Sequence, residues 1–312
     1  MKSYTTPLDQ YLHLRPNVAI DLGTANTRVF THRGLLMEKP SSVPISVKSK
    51  FNGNEFVLLH PLQEGVIRNL PAAVSLIQPM LRKSRRFGIK PIAVACVPTT
   101  ASLWDRQRLH DALLQAGCSS VEIIQEPIAA AIGAELDLSS EYAQMLIDVG
   151  EGITDLVIIQ NGQLIRTLGL QIACAAVHRS IQRKIYERHR VWLTFSEARR
   201  IGLMHSSPAT TILASGTDRS GEQIEIEIEI QDVVDAMQAP IVRLTEAAGQ
   251  FIRELSDDIA CQVIETGITV TGGGALLPGL IEKLKIETSL EVHVAIDPLH
   301  SVIHGAARAF FT

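Results

Sequence analysis

The chain has 312 residues, 46% hydrophobic and 20% charged, with a net charge of −4 at pH 7. This suffices for two globular domains of ordinary size, and the acidic balance argues against nucleic acid as a partner. Cys96, Cys118, Cys174 and Cys261 have neither CxxC nor zinc-type His spacing, residues 1–17 lack an apolar signal core, and no run of about 18 apolar residues occurs; the expected location is the reducing cytoplasm.

Residues 18–22 read as a short buried strand that passes through Gly-Thr-Ala-Asn-Thr into a second strand at 28–31, a hairpin with a polar tip. The spacing of Leu76, Ile77, Met80 and Leu81 predicts a helix over 74–86. The apolar run 92–97 predicts a buried strand. Residues 102–116 predict a helix capped by Ser102 and stopped by Gly117. A strand at 121–124 and an Ala-rich helix at 126–135, with Pro127 in its first turn, follow.

The pattern then starts again. Residues 144–149 are apolar and end in Asp148-Val149-Gly150-Glu151-Gly152. Strands at 154–160 and 163–168 join at Asn161-Gly162, a strong hairpin signal. A helix is expected at 176–189, a strand with Ile on its buried face at 222–230, and a long amphipathic helix at 232–255. A buried strand at 267–270 ends in Thr271-Gly272-Gly273-Gly274. A helix at 278–286, a strand at 291–295 and a closing helix at 299–311 complete the chain. Each half thus begins with a hairpin whose first strand ends in Asp-x-Gly. Two α/β lobes facing each other would place these turns across a cleft, where ligands of such sheets bind.

Glycine in a tight turn lets backbone N–H groups approach an anion. In the first turn, Gly23, Thr24, Ala25, Asn26 and Thr27 are expected to cradle a phosphate tail. Asp21 is expected to hold Mg²⁺ through water, as hard cations prefer oxygen. The second turn offers Asp148 for the metal and Gly150, Gly152 and Thr154 for phosphate. Gly272, Gly273, Gly274 and Ala275 form the third motif. Asp-x-Gly also occurs in plain structural turns, and three glycines also suit a tight strand-to-helix turn. The order of the three motifs is more specific than any one of them.

With these motifs in place, the chain resembles the actin/Hsp70/sugar-kinase superfamily, and within it the MreB family of bacterial actins. The resemblance runs from Val18 to Phe311. It is carried by residues 18–27, 38–44, Gly65-Val66-Ile67, Val97-Pro98, residues 125–134 (QEPIAAAIGA), 148–155, 271–277 (TGGGALL) and Asp297-Pro298-Leu299. It implies an α/β, actin-like (ribonuclease H-like, duplicated) two-lobe ATPase fold. The implied lobes are 18–143, with a short insert near 45–62 and the closing helix 299–312 packed back on it, and 144–298; residues 1–17 are an extension. It also implies ATP and Mg²⁺ as ligands, Glu126 as the residue that orients water, adenosine contacts at Gly272–Gly274, self-assembly into filaments, and work at the inner face of the cytoplasmic membrane.

Departures from the family pattern bear on the chemistry. The family's second phosphate turn resembles Asp-Ile-Gly-Gly-Gly-Thr-Thr-Glu, whereas this chain has Glu151 for the middle Gly and Ile153 for the first Thr. A carboxylate at Glu151 would repel phosphates. Ala173, Cys174 and Ala175 stand where the family has Gly-Gly-Asp. Its ribose-contacting Glu and Lys fall at Arg199 and Gly202, with Glu197 as an alternative. The stretch between residues 47 and 60 is shorter than in the family, so the small subdomain of the first lobe is reduced.

The segment 82–90 gathers five cations around Phe87 and Ile89. With Arg85 and Arg86 it suits an anionic leaflet, or else a solvated helix end. His178, His189 and His205 have no metal-ligand spacing and read as ordinary. The functional expectation is a cell-shape or intracellular-organising filament protein that binds ATP with weak or no hydrolysis. The alternatives are a nucleotide-independent interaction protein partnering a true MreB, and an Hsp70-like or small-molecule kinase ATPase.

Overall fold

The computed structural model describes residues 17–34, 36–49, 53–85, 88–204 and 210–311. The expected extension up to residue 16, Arg86, Phe87 and His205 lie outside the described residues. The chain divides into two compact units, one running to Leu138 and taking in the segment from His300 onward, the other Ser139–Leu299.

In the first unit, β1 (Asn17–Leu22) is buried from Val18 onward, which is why its sequence is an unbroken apolar run but for Asp21. β2 (Asn26–Thr31) and β3 (Leu36–Pro40) follow in an antiparallel meander. β4 (Val43–Ser49) and β5 (Gly53–Leu59) pair as a separate hairpin in the region of the short insert expected near 45–62. β6 (Leu62–Gln63) pairs with β7 (Val66–Ile67). α1 (Leu70–Ser84), β8 (Ile92–Val97), α2 (Leu103–Ala116), β9 (Ser120–Gln125) and α3 (Glu126–Gly133) complete the order. β8 and β9 add in parallel, giving a sheet of order β3-β2-β1-β8-β9.

Local chemistry sets the helix ends. α1 begins earlier than its apolar spacing suggests, because Asn69 accepts a hydrogen bond from Ala72 N at 3.0 Å and Pro71 sits in the first turn, where no N–H is needed. Ser102 caps α2 through a reciprocal box with Asp105, and Gly117, at φ 116°, ends it. On one face of the sheet, Ile20, Val29, Ile77, Leu81, Leu109 and Leu113 form the core. The C-terminal helix Ser301–Phe311 packs on α3 and on β1. There backbones nearly touch: a Cβ added at Gly305 would sit 1.7 Å from the Ala129 carbonyl oxygen, and one at Gly133 would sit 1.8 Å from that of Ser301. The Ala and Gly residues of α3 therefore serve close helix packing.

The second unit repeats the plan. β10 (Gln144–Val149), β11 (Thr154–Gln160) and β12 (Gln163–Leu170) form an antiparallel meander. Asn161 and Gly162 turn at φ 49° and 70°, the left-handed pair that an Asn-Gly hairpin requires. α4 (Cys174–His189), β13 (Trp192–Leu193), α5 (Phe195–Leu203), β14 (Thr211–Thr217), β15 (Gln223–Glu229), α6 (Ile230–Arg253) and α7 (Asp257–Thr266) follow. β16 (Ile268–Thr271), a 3-10 turn at Gly273–Leu276, α8 (Leu280–Thr288) and β17 (Val292–Val294) close the unit. The main sheet has the order β12-β11-β10-β16-β17, with the same two antiparallel and two parallel junctions as the first. Met145, Ile147, Leu156, Ile158, Ile181 and Phe251 lie in its core.

In this unit β13, α5, β14 and α7 fall outside the sequence expectation, as β5, β6 and β7 do in the first. α5 is short and polar on one face, β14 carries Ser and Gly among its apolar residues, and α7 restarts at Ser256 so soon after α6 that the two read as one periodic run. No helix among the described residues is long and apolar enough to cross a membrane.

The contact of α3 with the C-terminal helix generates a direct test. Gly305→Ala must push the two backbones apart, and overpacking of this kind costs on the order of 3 kcal/mol. Denaturant unfolding should show the loss as a lower midpoint with an unchanged slope. A neutral substitution would contradict the contact.

Candidate functional site

The first turn is built by cross-bracing. Gly23 N donates to Asn26 O at 3.1 Å, and a Cβ at Gly23 would stand 2.9 Å from that oxygen, which explains the glycine. Ser41, arriving after β3, donates its hydroxyl to Gly23 O at 2.6 Å and its N–H to Ala25 O at 2.8 Å. Its oxygen also lies 2.9 Å from Thr27 Oγ1. Gly65 N donates to Thr24 Oγ1 at 2.9 Å. Four polar contacts from two distant segments thus hold residues 23–27 in one shape. Neither Ser41 nor Gly65 was singled out as a partner of this turn from sequence, and no local signal marks them.

Asp21 is buried at the end of β1, across the hairpin from Arg28. Arg28 Nη1 lies 3.1 Å from Asp21 Oδ2, and its Nη2 lies 2.8 Å from Glu38 Oε1. His300 Nε2 stands 3.4 Å from the other Glu38 oxygen. Burial raises the Asp21 pKa above its ordinary value, and Arg28 opposes the shift. Asp21 therefore already has a cation within reach. Its pairing was readable, since residues 21 and 28 are equidistant from the turn.

The second turn repeats the first at the atomic level. Gly150 N donates to Ile153 O at 2.9 Å, and a Cβ at Gly150 would stand 2.9 Å from it. Asp148 is buried and accepts from Thr271 Oγ1 at 2.9 Å. Thr154, also buried, donates its hydroxyl to Ile172 O at 2.8 Å. Gly152 is half-buried beside Glu151. The expectation that Glu151 points at phosphates is corrected: its Oε1 lies 3.0 Å from His178 Nδ1, and the two side chains are 10% and 4% exposed. His178 is accordingly a buried core residue of α4, paired with Glu151.

The glycines of the third motif make close backbone contact. Gly272 has φ 79°, and a Cβ there would stand 2.4 Å from Val149 O; one at Gly274 would lie 2.1 Å from Val149 Cγ1. Both thus pack β16's exit against the Asp148 turn, with Gly273 and buried Ala275 between and beyond them. Glu126 is half-buried as the first residue of α3. Gly202 faces Ile181 in the contact of α5 with α4 and is a packing residue. Glu197 is already engaged: Arg200 and Ser215 N hold its carboxylate at 2.6 and 2.9 Å, and the hydrogen bond from Arg200 depresses its pKa. Of the basic segment, Ile89 is exposed, and Arg85 brings its guanidinium close to Gly117 at the end of α2.

A family model described as MreB/Mbl protein matches residues 52–311. The cell shape-determining protein MreB of Haemophilus influenzae is 27% identical over 328 residues, covering 94% of this chain and 92% of that protein. The cell shape-determining protein Mbl of Bacillus subtilis is 26% identical, covering 93% and 94%. Among solved structures, MreB5 of Spiroplasma citri bound to AMPPNP has a TM-score of 0.85 at 22% identity, covering 95% of this chain and 96% of that one. The MamK double helical filament has a TM-score of 0.77 at 21% identity, covering 95% and 98%. The fold is actin-like.

The Asp21 site yields a pH prediction. A carboxyl whose folded pKa is raised opposes folding once pH exceeds its ordinary value of 3.8. Asp21→Asn should therefore gain stability relative to the wild type as pH rises from below 3.8 towards neutrality, as measured by denaturant unfolding across pH. Arg28→Leu, which leaves Asp21 without its cation, should cost about 3 kcal/mol at pH 7. A pH-independent difference for Asp21→Asn would contradict the assignment.

Proposed function

The chain belongs to the MreB/Mbl protein family, and on that premise we propose that it is a cytoskeletal protein that assembles into actin-like filaments and binds ATP with weak or no hydrolysis. The observation that carries the nucleotide reading is the braced turn at residues 23–27. A turn fixed by Ser41 and Gly65 presents its backbone to an anion without paying to become ordered. Support comes from the relatives named as cell shape-determining proteins and from neighbours described as bound to AMPPNP or ADP or as a filament.

In this reading Gly23, Thr24, Ala25, Asn26 and Thr27 contact phosphates, and Gly272, Gly273, Gly274 and Ala275 contact adenosine. Asp148 and Asp21 are oxygen donors of the type that holds hydrated Mg²⁺. Glu126 would orient water. Ile153, buried and apolar, offers no hydroxyl to help it, which fits weak turnover. A second reading, a nucleotide-independent partner of another MreB-like protein, is favoured by the self-satisfied turn at Glu151.

Self-assembly needs an exposed apolar surface. Leu103 and Trp104, in the first turn of α2, are 87% and 57% exposed. A second copy of the chain is the proposed occupant. Sedimentation with ATP, with ADP and without nucleotide, paired with phosphate release, tests the reading. Pelleting should depend on nucleotide, and Trp104→Glu should reduce the pelleted fraction about tenfold without changing the unfolding midpoint, the equivalent of roughly 1.4 kcal/mol at one interface. Pelleting indifferent to nucleotide would favour the second reading.

A further inference from the structure

The residues just past Asp297-Pro298-Leu299 carry chemistry that the nucleotide reading does not use. His300 and His304 are four residues apart, the spacing that sets two side chains on one face of a helix and that helical zinc motifs employ. The His300 carbonyl accepts from His304 N at 2.9 Å, so the turn between them is closed. Their ring centroids stand 5.9 Å apart. Asp297 comes just before on the same chain segment, and one ligand atom each from Asp297, His300 and His304 lies within 4.8 Å of the other two. All three belong to one short stretch, residues 297–304, so the local course of the backbone sets the cluster.

Both rings are oriented by partners outside their helix. His304 meets Phe30 of β2 edge to face, with centroids 5.4 Å apart. His300 Nε2 stands 3.4 Å from Glu38 Oε2, whose other oxygen lies 2.8 Å from Arg28 Nη2. A carboxylate on one ring nitrogen is the arrangement that orients a metal-ligating histidine and leaves its other nitrogen to the ion. The helix that carries the histidines is itself held, because Gly305 lies against the backbone of α3. Both histidines are half-buried and Asp297 is exposed, so an ion reaches the cluster from solvent. The dipole at the start of a helix opposes a cation, and the Asp297 carboxylate offsets that opposition.

We propose that Asp297, His300 and His304 form a site for a divalent transition-metal ion of the Zn²⁺ type, made of none of the residues assigned above to phosphate or Mg²⁺. Two imidazoles and a carboxylate suit Zn²⁺, which takes nitrogen and oxygen ligands at about 2.0–2.2 Å and accepts water in its fourth position. The set does not suit Mg²⁺, which prefers oxygen throughout. Ligands at that length lie no more than about 4.4 Å apart across one ion, so small side-chain adjustments close the cluster. A bound ion ties the first turn of the C-terminal helix to the segment that leads into it.

Titration of the chelator-treated full chain with Zn²⁺, without nucleotide and in competition with a chromophoric chelator, tests this. The wild type should take up a single Zn²⁺ per chain at this site, and excess Mg²⁺ should not displace it. Asp297→Asn and His304→Gln should each weaken the Kd at least about tenfold, the loss that removing even an outer-shell partner brings. Zn²⁺ should also raise the denaturant unfolding midpoint of the wild type, and leave that of either variant in place at the same concentration. His293→Gln and Cys261→Ser remove exposed groups of ligating type outside the cluster and should bind as the wild type does. Asp297 is exposed, so its variant decides the matter if His304→Gln does not fold. No saturable uptake by the folded wild type below about 100 μM Zn²⁺, or an unchanged Kd in the folded variants of the cluster, would overturn the proposal.

Discussion

A carboxylate removed from water must find a cation or a hydrogen-bond donor, and both units place one at the end of their central strand. In the first unit, Asp21 faces Arg28 across the hairpin and shares that guanidinium with Glu38. In the second, the residue across from Asp148 is another buried acid, Asp155, so no cation is available from that position. Asp148 takes the Thr271 hydroxyl from the parallel neighbour β16 instead. The same backbone plan thus gives Asp21 a guanidinium from its hairpin partner and Asp148 a hydroxyl from the parallel strand. The choice decides which strand each turn depends on: β2 in the first unit, β16 in the second.

Glycine has separate roles in these turns. Gly23 and Gly150 leave room for a carbonyl oxygen of their own hairpin. Gly272 and Gly274 leave room for Val149, so that β16 can exit tightly past the Asp148 turn. Gly133 and Gly305 let two helices of the first unit touch backbone to backbone. The first pair shapes the Asp-x-Gly turns themselves; the other two pack neighbouring elements together, and their close contacts account for the residue type.

Much of this was legible from sequence. The two Asp-x-Gly hairpins, the buried runs that become β8 and β10, the Ser102 cap and the Asn161-Gly162 turn all follow from local rules that need no distant partner. Residues whose role depends on distant segments were not legible in the same way. Ser41 braces the first turn from beyond a whole strand, and Gly65 does so from farther still. Glu151 read as a carboxylate set against phosphates because a Gly-flanked turn gives no hint of a histidine one helical turn into the next helix. Likewise Glu197 looked available until Ser215 of β14, an unforeseen strand, came to hold it.

The two turns therefore share a geometry and differ in where their braces come from. In the first, the braces come from the Ser41 hydroxyl and from two N–H groups outside the turn, and they end on the turn's carbonyls and on Thr24 and Thr27. In the second, two braces come from the start of α4 and end on the carbonyls of Gly150 and Glu151, so they spend N–H groups of the helix. In each turn one glycine N–H, that of Gly23 or of Gly150, closes the hairpin. The replacement of a glycine by Glu151 adds a charge to a turn whose neighbouring helix had already spent its donors, and His178 makes burial of that charge tolerable. The asymmetry of the two turns is thus a property of where each brace originates: the loop segments at Ser41 and Gly65 in the first unit, the following helix in the second.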